Sequence, residues 1–347
     1  MTLGIHIGRA IGPGHPPFVI AELSANHLGS LDRALAIVDA AADAGCDALK
    51  LQTFTPASMT LDASRSDFHI ADGPWGGRSL WDLYGEAHTP WDWHAVIFER
   101  CAARGLVCFS TPFDEDAVAR LDALGTPAFK IASFELGDLE LIACAARTGK
   151  PLVMSTGMAS DAEVAEAVAT ARAHGAGGIA LLHCVSGYPT PIEATNLARL
   201  DGLRVHDTVL GISDHSPGSI VPIAAVARGA CLVEKHLTLA RADGGPDAGF
   251  SLEPAEMADV VRGAKLAWQA LGDGSAKRPA VESANRKFRR SLYAVAAIDP
   301  GQPLTRDNVR AIRPGFGLAP RDLPTVLGRR ARVAIERGTP LAWDLLE

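Results

Sequence analysis

The sequence predicts an α/β fold: a closed (β/α)8 TIM barrel followed by a small β-rich C-terminal domain. Three observations carry that reading. Short apolar runs recur eight times across about 260 residues, the repeat expected of eight βα units. Alanine-rich stretches with helical spacing separate them, as in "SLDRALAIVDAAADAGC" and "SDAEVAEAVATARAHG". Alternation of this kind implies a parallel sheet. No GxGxxG follows the first run, which disfavours an open, doubly wound dinucleotide-binding sheet.

Taken in order, the first run is "FVIAEL" from Phe18, and Ser30 is the N-cap of the helix after it. The second, "ALKLQT" from Ala48, is followed by a connection of about 35 residues, long enough to expect a functional role. That connection is rich in Trp, Phe, Tyr and His and reads as an ordered lid or substrate wall. It ends at the helix opening "TPWDWHAVIFERCAARG". "VCFSTP" from Val107 and "AFKIAS" from Ala128 come next, then "PLVMST" from Pro151. The helix after that run opens at Ser160 with Glu163 three residues on, a capping-box pattern. "IALLHC" from Ile179, "VLGISD" from Val209 and "CLVEKH" from Cys231 complete the eight. The barrel is expected over residues 1–275. A polar, basic linker is expected over 276–290, and a Gly- and Pro-punctuated β-rich domain over 291–347. A core of about 57 residues is marginal alone, so the small domain is expected to dock against something.

The 347 residues carry a formal charge of −7, without the basic surplus of a nucleic-acid binder. No apolar stretch approaches the roughly 20 residues of a membrane span. The N-terminus lacks a basic start followed by an apolar run, so a cytoplasmic protein is expected. Cys46, Cys101, Cys108, Cys144, Cys184 and Cys231 form no CxxC pair. They read as reduced small hydrophobes.

Residues two apart on a strand share a face. This pairs Lys50 with Gln52 and Glu234 with His236, and it pairs Ser213 with His215 if that strand extends far enough. Lys235 is left on the opposite face. Glu22, Lys130 and Ser155 lie near the ends of their strands. Active sites of such barrels sit at the C-terminal mouth, so these groups are expected to converge there. Burying so many ionisable groups without a polar ligand would be costly. Lys50 and Lys130 suit a small multiply charged anion, phosphate or carboxylate. His215 and His236 have the type and placement of ligands for Mn, Co or Zn. Asp243 and Asp247, in the glycine-rich loop beyond, either orient metal-bound water or solvate a turn.

With these residues in view, the sequence resembles the sialic acid (nonulosonic acid) synthase family, and within it the pseudaminic acid synthases. The motifs are "FVIAELSANHLGSLDRAL", "DALKLQTFTPASMTLD", "SLWDLYGEAHTPWDWH", "KIASFELGDLELI", "STGMAS", "GISDHSPG" and "VEKHLTLARADGGPDAGFSLEP". "NVRAIRPGFGLAP" resembles the antifreeze-like (SAF) domain. The resemblance implies a metal-dependent enzyme that condenses phosphoenolpyruvate (PEP) with an open-chain acetamido-sugar, releasing phosphate. It also implies a divalent ion (Mn, Mg or Co) held by His215 and His236, and a domain-exchanged homodimer in which one chain's SAF domain caps the other's barrel. Glu22 would act near the central PEP carbon. Lys50, Gln52, Thr111, Lys130, Ser133 and Ser155 would bind PEP. Tyr188 would line the sugar side, Glu234 and Asp247 would hold metal-bound water or sugar hydroxyls, and Arg313 would reach an acetamido group; Ser213 is a further substrate-binding candidate. The aromatic connection and "TPASMTLD" point to a 2,4-diacetamido-2,4,6-trideoxy hexose. A legionaminic or N-acetylneuraminic acid synthase, a sugar-binding scaffold protein and a Schiff-base aldolase using Lys130 are the competing readings. The sequence departs from the family pattern at Leu28, where many members have Asn, and at Ser186, where sialic acid synthases often have Asn.

Overall fold

A computed structural model describes residues 3–276 and 279–347. The chain divides into two compact units, the first ending at Gly272 and the second beginning at Asp273.

In the first unit all eight apolar runs form strands. They are β1 (Phe18–Glu22), β2 (Ala48–Thr53), β3 (Val107–Pro112), β4 (Phe129–Ile131), β5 (Leu152–Ser155), β6 (Ile179–Cys184), β7 (Val209–Ser213) and β8 (Leu232–His236). They pair in parallel in sequence order, and β8 returns to β1 to close the barrel. Ser30 and Ser160 cap the helices Leu31–Asp43 and Asp161–Ala173, the second through a reciprocal capping box with Glu163.

The alternation along each strand sorts two layers. One set of positions, including Val19, Ala21, Leu49, Leu51, Val233 and Leu237, packs in an apolar cluster with the surrounding helices. The other set faces the barrel interior and changes character along the strand. Phe18 and Ile20 lead to Glu22, Ala48 leads to Lys50, Phe109 to Thr111, Val153 to Ser155, and Leu232 to Glu234 and His236. The apolar members form a second cluster, which includes Ile5, Ile7 and Ile11. The lower interior is therefore filled with hydrocarbon, while most strands arrive at their C-terminal ends with a polar group; β6 ends inward in Cys184. Gly211 shows how tight this filling is: a Cβ there would lie 2.4 Å from Leu182 Cδ2 and 2.7 Å from the Leu232 carbonyl oxygen.

Two features differ from expectation. Ile5, Ile7 and Ile11 belong to an N-terminal antiparallel hairpin, Ile5–Ile7 with Arg9–Ile11, that sequence reading passed over. Arg9 fastens it through Asp47 (Nε to Oδ1, 2.9 Å) and the Pro17 carbonyl (2.8 Å). The long connection after β2 is also not a continuous loop. It holds helix Pro56–Met59, a 3-10 turn at Ser66–Phe68 and a two-turn helix Leu80–Ala87 capped by Ser79.

In the second unit Ser291–Ala294 pairs antiparallel with Val309–Ile312. Isolated bridges such as Ile298 with Ile335 and Ala331 with Leu346 surround a core of Leu292, Leu304, Val309, Val326 and Leu341. Regular strand is thus sparser than "β-rich" implies. Of the expected linker 276–290, Lys277 and Arg278 lie outside the described residues, and Ala280–Phe288 forms 3-10 turns.

Candidate active site

The strand ends bring their polar groups to one level of the barrel mouth. Glu22 is in register with Lys50 on β2 and with His236 on β8, and Glu234 is in register with Ser213. The Lys50 ammonium forms an ion pair with Glu22, lies 3.7 Å from Glu234 Oε2, and donates to Thr111 Oγ1 at 3.2 Å. Lys130 Nζ lies 3.7 Å from Glu234 Oε1 and donates to the Ile131 carbonyl at 3.2 Å. Ser213 Oγ donates to Glu234 Oε1 at 2.9 Å. All six of these side chains are buried.

Burial and mutual charge set their protonation. Burial pushes the Glu22 carboxyl up to about 7, against the opposing pull of Lys50. Glu234 is held below the usual carboxylate range because Lys130, Lys50 and the Ser213 hydroxyl outweigh its burial. Burial lowers Lys130, and Lys50 adds to that. The Lys50 ammonium is kept above its ordinary value because Glu22 and Glu234 outweigh its burial.

His215 lies two residues beyond β7, so the strand itself does not carry it. Its imidazole reaches the mouth from the loop, with Nδ1 3.2 Å from the Val185 carbonyl, and its ring is centred 5.3 Å from that of His236. A carbonyl can only accept, so Nδ1 carries the proton and Nε2 keeps its lone pair free to bind an ion. Buried His236 Nδ1 has no hydrogen-bond partner; the nearest acid is Asp247 Oδ2 at 3.8 Å. Asp247 accepts from Ser24 Oγ at 2.5 Å. Burial lowers both imidazoles, His215 to about 4 and His236 well below the ordinary value, so both are neutral near pH 7. Two adjacent neutral imidazoles, one oriented by a backbone carbonyl and the other with an orphaned buried nitrogen, fit a borderline transition-metal ion. Among the described residues no three His, Cys, Asp or Glu side chains gather as a ligand set. The protein would therefore fill only part of a coordination sphere.

Aromatic rings wall this pair. Tyr188 is centred 4.5 Å from His215, and Phe250 5.0 Å from His236. From the long connection, Trp75 is centred 5.6 Å from Tyr188 and donates through Nε1 to the Pro246 carbonyl at 2.8 Å. The connection is thus joined to the glycine-rich loop after β8. Across the mouth, Ser155 Oγ is buried without a partner, and Ser133 Oγ accepts from Gly157 N at 3.1 Å. A Cβ at Gly157 would lie 2.7 Å from Ser133 Oγ and 2.4 Å from Ser186 Oγ, so only glycine lets this backbone approach both serines. Gln52, half-buried, is level with Thr111.

Asp243 pairs with Arg33 Nη1 at 2.7 Å, so it anchors its own loop instead of facing the histidines. Arg313 belongs to the second unit, exposed just after strand Val309–Ile312. One group escaped sequence reading: Glu135, whose Oε2 is buried without a partner and whose carboxyl burial pushes up to about 7. Its only sequence signal is an acid in the turn directly after Lys130 and Ser133.

A parallel barrel whose mouth gathers two ammoniums, two carboxylates and two neutral imidazoles has the make-up of a barrel enzyme for a small anionic substrate. Residues 37–276 match the NeuB family model, and residues 289–347 match the SAF domain. The chain belongs to the NeuB family, the sialic acid synthases. It is 41% identical to the pseudaminic acid synthase of Campylobacter jejuni, covering 93% of this chain and 95% of that protein. To the pseudaminic acid synthase of Helicobacter pylori it is 39% identical, covering 96% and 98%. The crystal structure of N-acetylneuraminic acid synthetase from Leptospira borgpetersenii superposes with a TM-score of 0.74. It has 32% identity and covers 82% of this chain and 95% of that one.

Proposed function

We propose that this protein is a pseudaminic acid synthase. In this reading it is a metal-dependent transferase that condenses PEP with the open-chain aldehyde of 2,4-diacetamido-2,4,6-trideoxy-L-altropyranose. The observation that carries the reading is the convergence of Lys50, Lys130, Glu22 and Glu234 beside the His215–His236 pair. The choice of sugar is supported by higher identity to pseudaminic acid synthases, 41%, than to the N-acetylneuraminic acid synthetase, 32%.

Lys50 and Lys130 face the phosphate and carboxylate of PEP, with Thr111, Ser133, Ser155 and Gln52 as further donors. The methylene carbon of PEP bonds to the aldehyde carbon, whose oxygen takes up a proton to become a hydroxyl. Positive charge develops at the central PEP carbon, where the Glu22 carboxylate stabilises it and orients a water. The water oxygen bonds there and loses a proton. The carbon–oxygen bond to phosphate then breaks as the new hydroxyl passes its proton to the departing phosphate, leaving a 2-keto acid and inorganic phosphate. His215 and His236 would hold the divalent ion (Mn, Mg or Co), which polarises the aldehyde as a Lewis acid when bound. Glu234 and Asp247 orient water or sugar hydroxyls, and Tyr188, Phe250 and Trp75 form the apolar wall. A 6-deoxy sugar places a methyl where a hydroxyl would go unpaired. The six cysteines are free, which suits a reducing cytoplasm.

The test is phosphate release from PEP with Mn(II) and each candidate sugar. The diacetamido-trideoxy sugar is expected to exceed N-acetylmannosamine at least about tenfold in kcat/KM. Release with no acetamido-sugar would remove the assignment.

The proposal includes a homodimer in which Arg313 of one chain serves the sugar site of the other. Arg313→Ala is then expected to raise the sugar KM more than the PEP KM. Co-expression with His236→Ala should restore low-KM turnover to about a quarter of the sites, because mixed dimers rebuild one intact site. No gain on mixing would show that Arg313 acts within its own chain, or not at all.

A further inference from the structure

Lys235 lies between Glu234 and His236 but faces the opposite way, into the layer between strands and helices. Its outward neighbours, Val233 on β8 and Leu237 just past the strand's end, belong to the apolar cluster there. Lys235 is 0% exposed, as fully buried as either. A charge in that layer is costly, and a well-packed apolar side chain would commonly serve stability as well. What the ammonium touches is specific. It donates to Asp214 Oδ2 at 3.0 Å and to the Ser216 carbonyl at 2.5 Å. The Asp214 carboxylate accepts in turn from Ser216 N and Ser216 Oγ, both at 3.0 Å. These bonds grip the residues directly before and after His215. Asp214 N also donates to the Glu234 carbonyl at 3.0 Å, and Thr190 N donates to the His215 carbonyl at 3.1 Å. His215 thus sits on a loop whose two flanks are fastened to the strand that carries His236.

We propose that Lys235 is a positioning residue: with Asp214 and Ser216 it buckles the His215 loop onto β8 and sets the spacing of the two imidazoles for a divalent ion. This rests on the metal role given to the histidines above. A lysine that only stabilised the barrel would influence melting and leave ion binding unchanged. One that sets the imidazole spacing influences ion affinity in protein that is still folded.

The test measures Mn(II) binding to metal-free protein by electron paramagnetic resonance, in the absence of substrates. It compares wild type, Lys235→Met and the charge-neutral pair Lys235→Met with Asp214→Asn. The pair leaves no buried charge unpaired and carries the test if the single variant does not fold. Expected is a Mn(II) Kd raised about 10- to 100-fold, the usual range for loss of a residue that orients a ligand. The Kd for PEP should stay within about twofold of wild type, since no PEP-facing group contacts Lys235. A folded variant with unchanged Mn(II) Kd and unchanged kcat overturns the inference alone. Failure of wild type to bind Mn(II) overturns the metal reading and this inference with it.

Discussion

Replacing His236 by alanine is expected to lower turnover at least about a thousand-fold, the loss that follows when several kcal/mol of Lewis-acid stabilisation disappear. The fold should survive. His236 Nδ1 has no hydrogen-bond partner, so truncation orphans no group. The space it opens lies beside Phe250 and His215 at the mouth, away from the hydrocarbon that fills the lower barrel. Stability should fall by no more than about 1–2 kcal/mol. Mn(II) binding and phosphate release, read beside a thermal melt, separate the two effects. Phosphate release within threefold of wild type would detach the histidines from the chemistry.

Lys50→Met should act on stability and catalysis together. Its ammonium is the cation that Glu22 pairs with and lies 3.7 Å from Glu234, so methionine leaves the buried Glu22 carboxyl without its partner and Glu234 with Lys130 alone. Loss of one partner from a buried pair costs about 3–5 kcal/mol. The pH dependence has a definite sign. The Glu22 carboxyl is already raised from 4.5 to about 7 in the folded protein, and without Lys50 it rises further. An acid with a raised folded pKa binds its proton more tightly when folded. Its contribution is therefore present below about 4.5 and lost as pH climbs through the folded pKa. The deficit of the variant should be smallest near pH 5 and should grow as pH rises through 7. Denaturant melts across that range measure it. A pH-independent deficit would show that Glu22 is not the group responding. Turnover should drop by at least about a hundred-fold, because an oriented cation facing the anionic substrate is gone.

The eight strands were legible because hydrophobic runs and turn signals are local, and each quoted run became a strand. Several site residues were legible for the same reason. A period of two, applied to "ALKLQT" and "VEKHLT", places Lys50 with Gln52 and Glu234 with His236 on the interior face. His215 was assigned to the mouth through Ser213, but the strand stops at Ser213 and the imidazole arrives from the loop. Other features depend on contacts between distant segments. The hairpin at Ile5–Ile11 is too short to stand out by periodicity and exists because the barrel floor needs covering. The helix Leu80–Ala87 hides in an aromatic-rich connection whose ring contacts are tertiary. Asp243 and Asp247 sit in one glycine-rich loop, yet one pairs with Arg33 and the other points toward His236, a choice no local pattern contains.

The order of residues alone determined the barrel, its eight strands and most of the ionisable groups that its strands carry to the mouth. Those follow from burial and side-chain alternation, which act over a few residues. Only the tertiary structure decided what state those groups are in. The Glu22 carboxyl is raised by burial, the histidines are uncharged, and Lys235 is tied to Asp214 because closing the barrel removes water and brings opposite charges within reach. Desolvation and Coulomb energy depend on distance in space, and closing the barrel sets that distance.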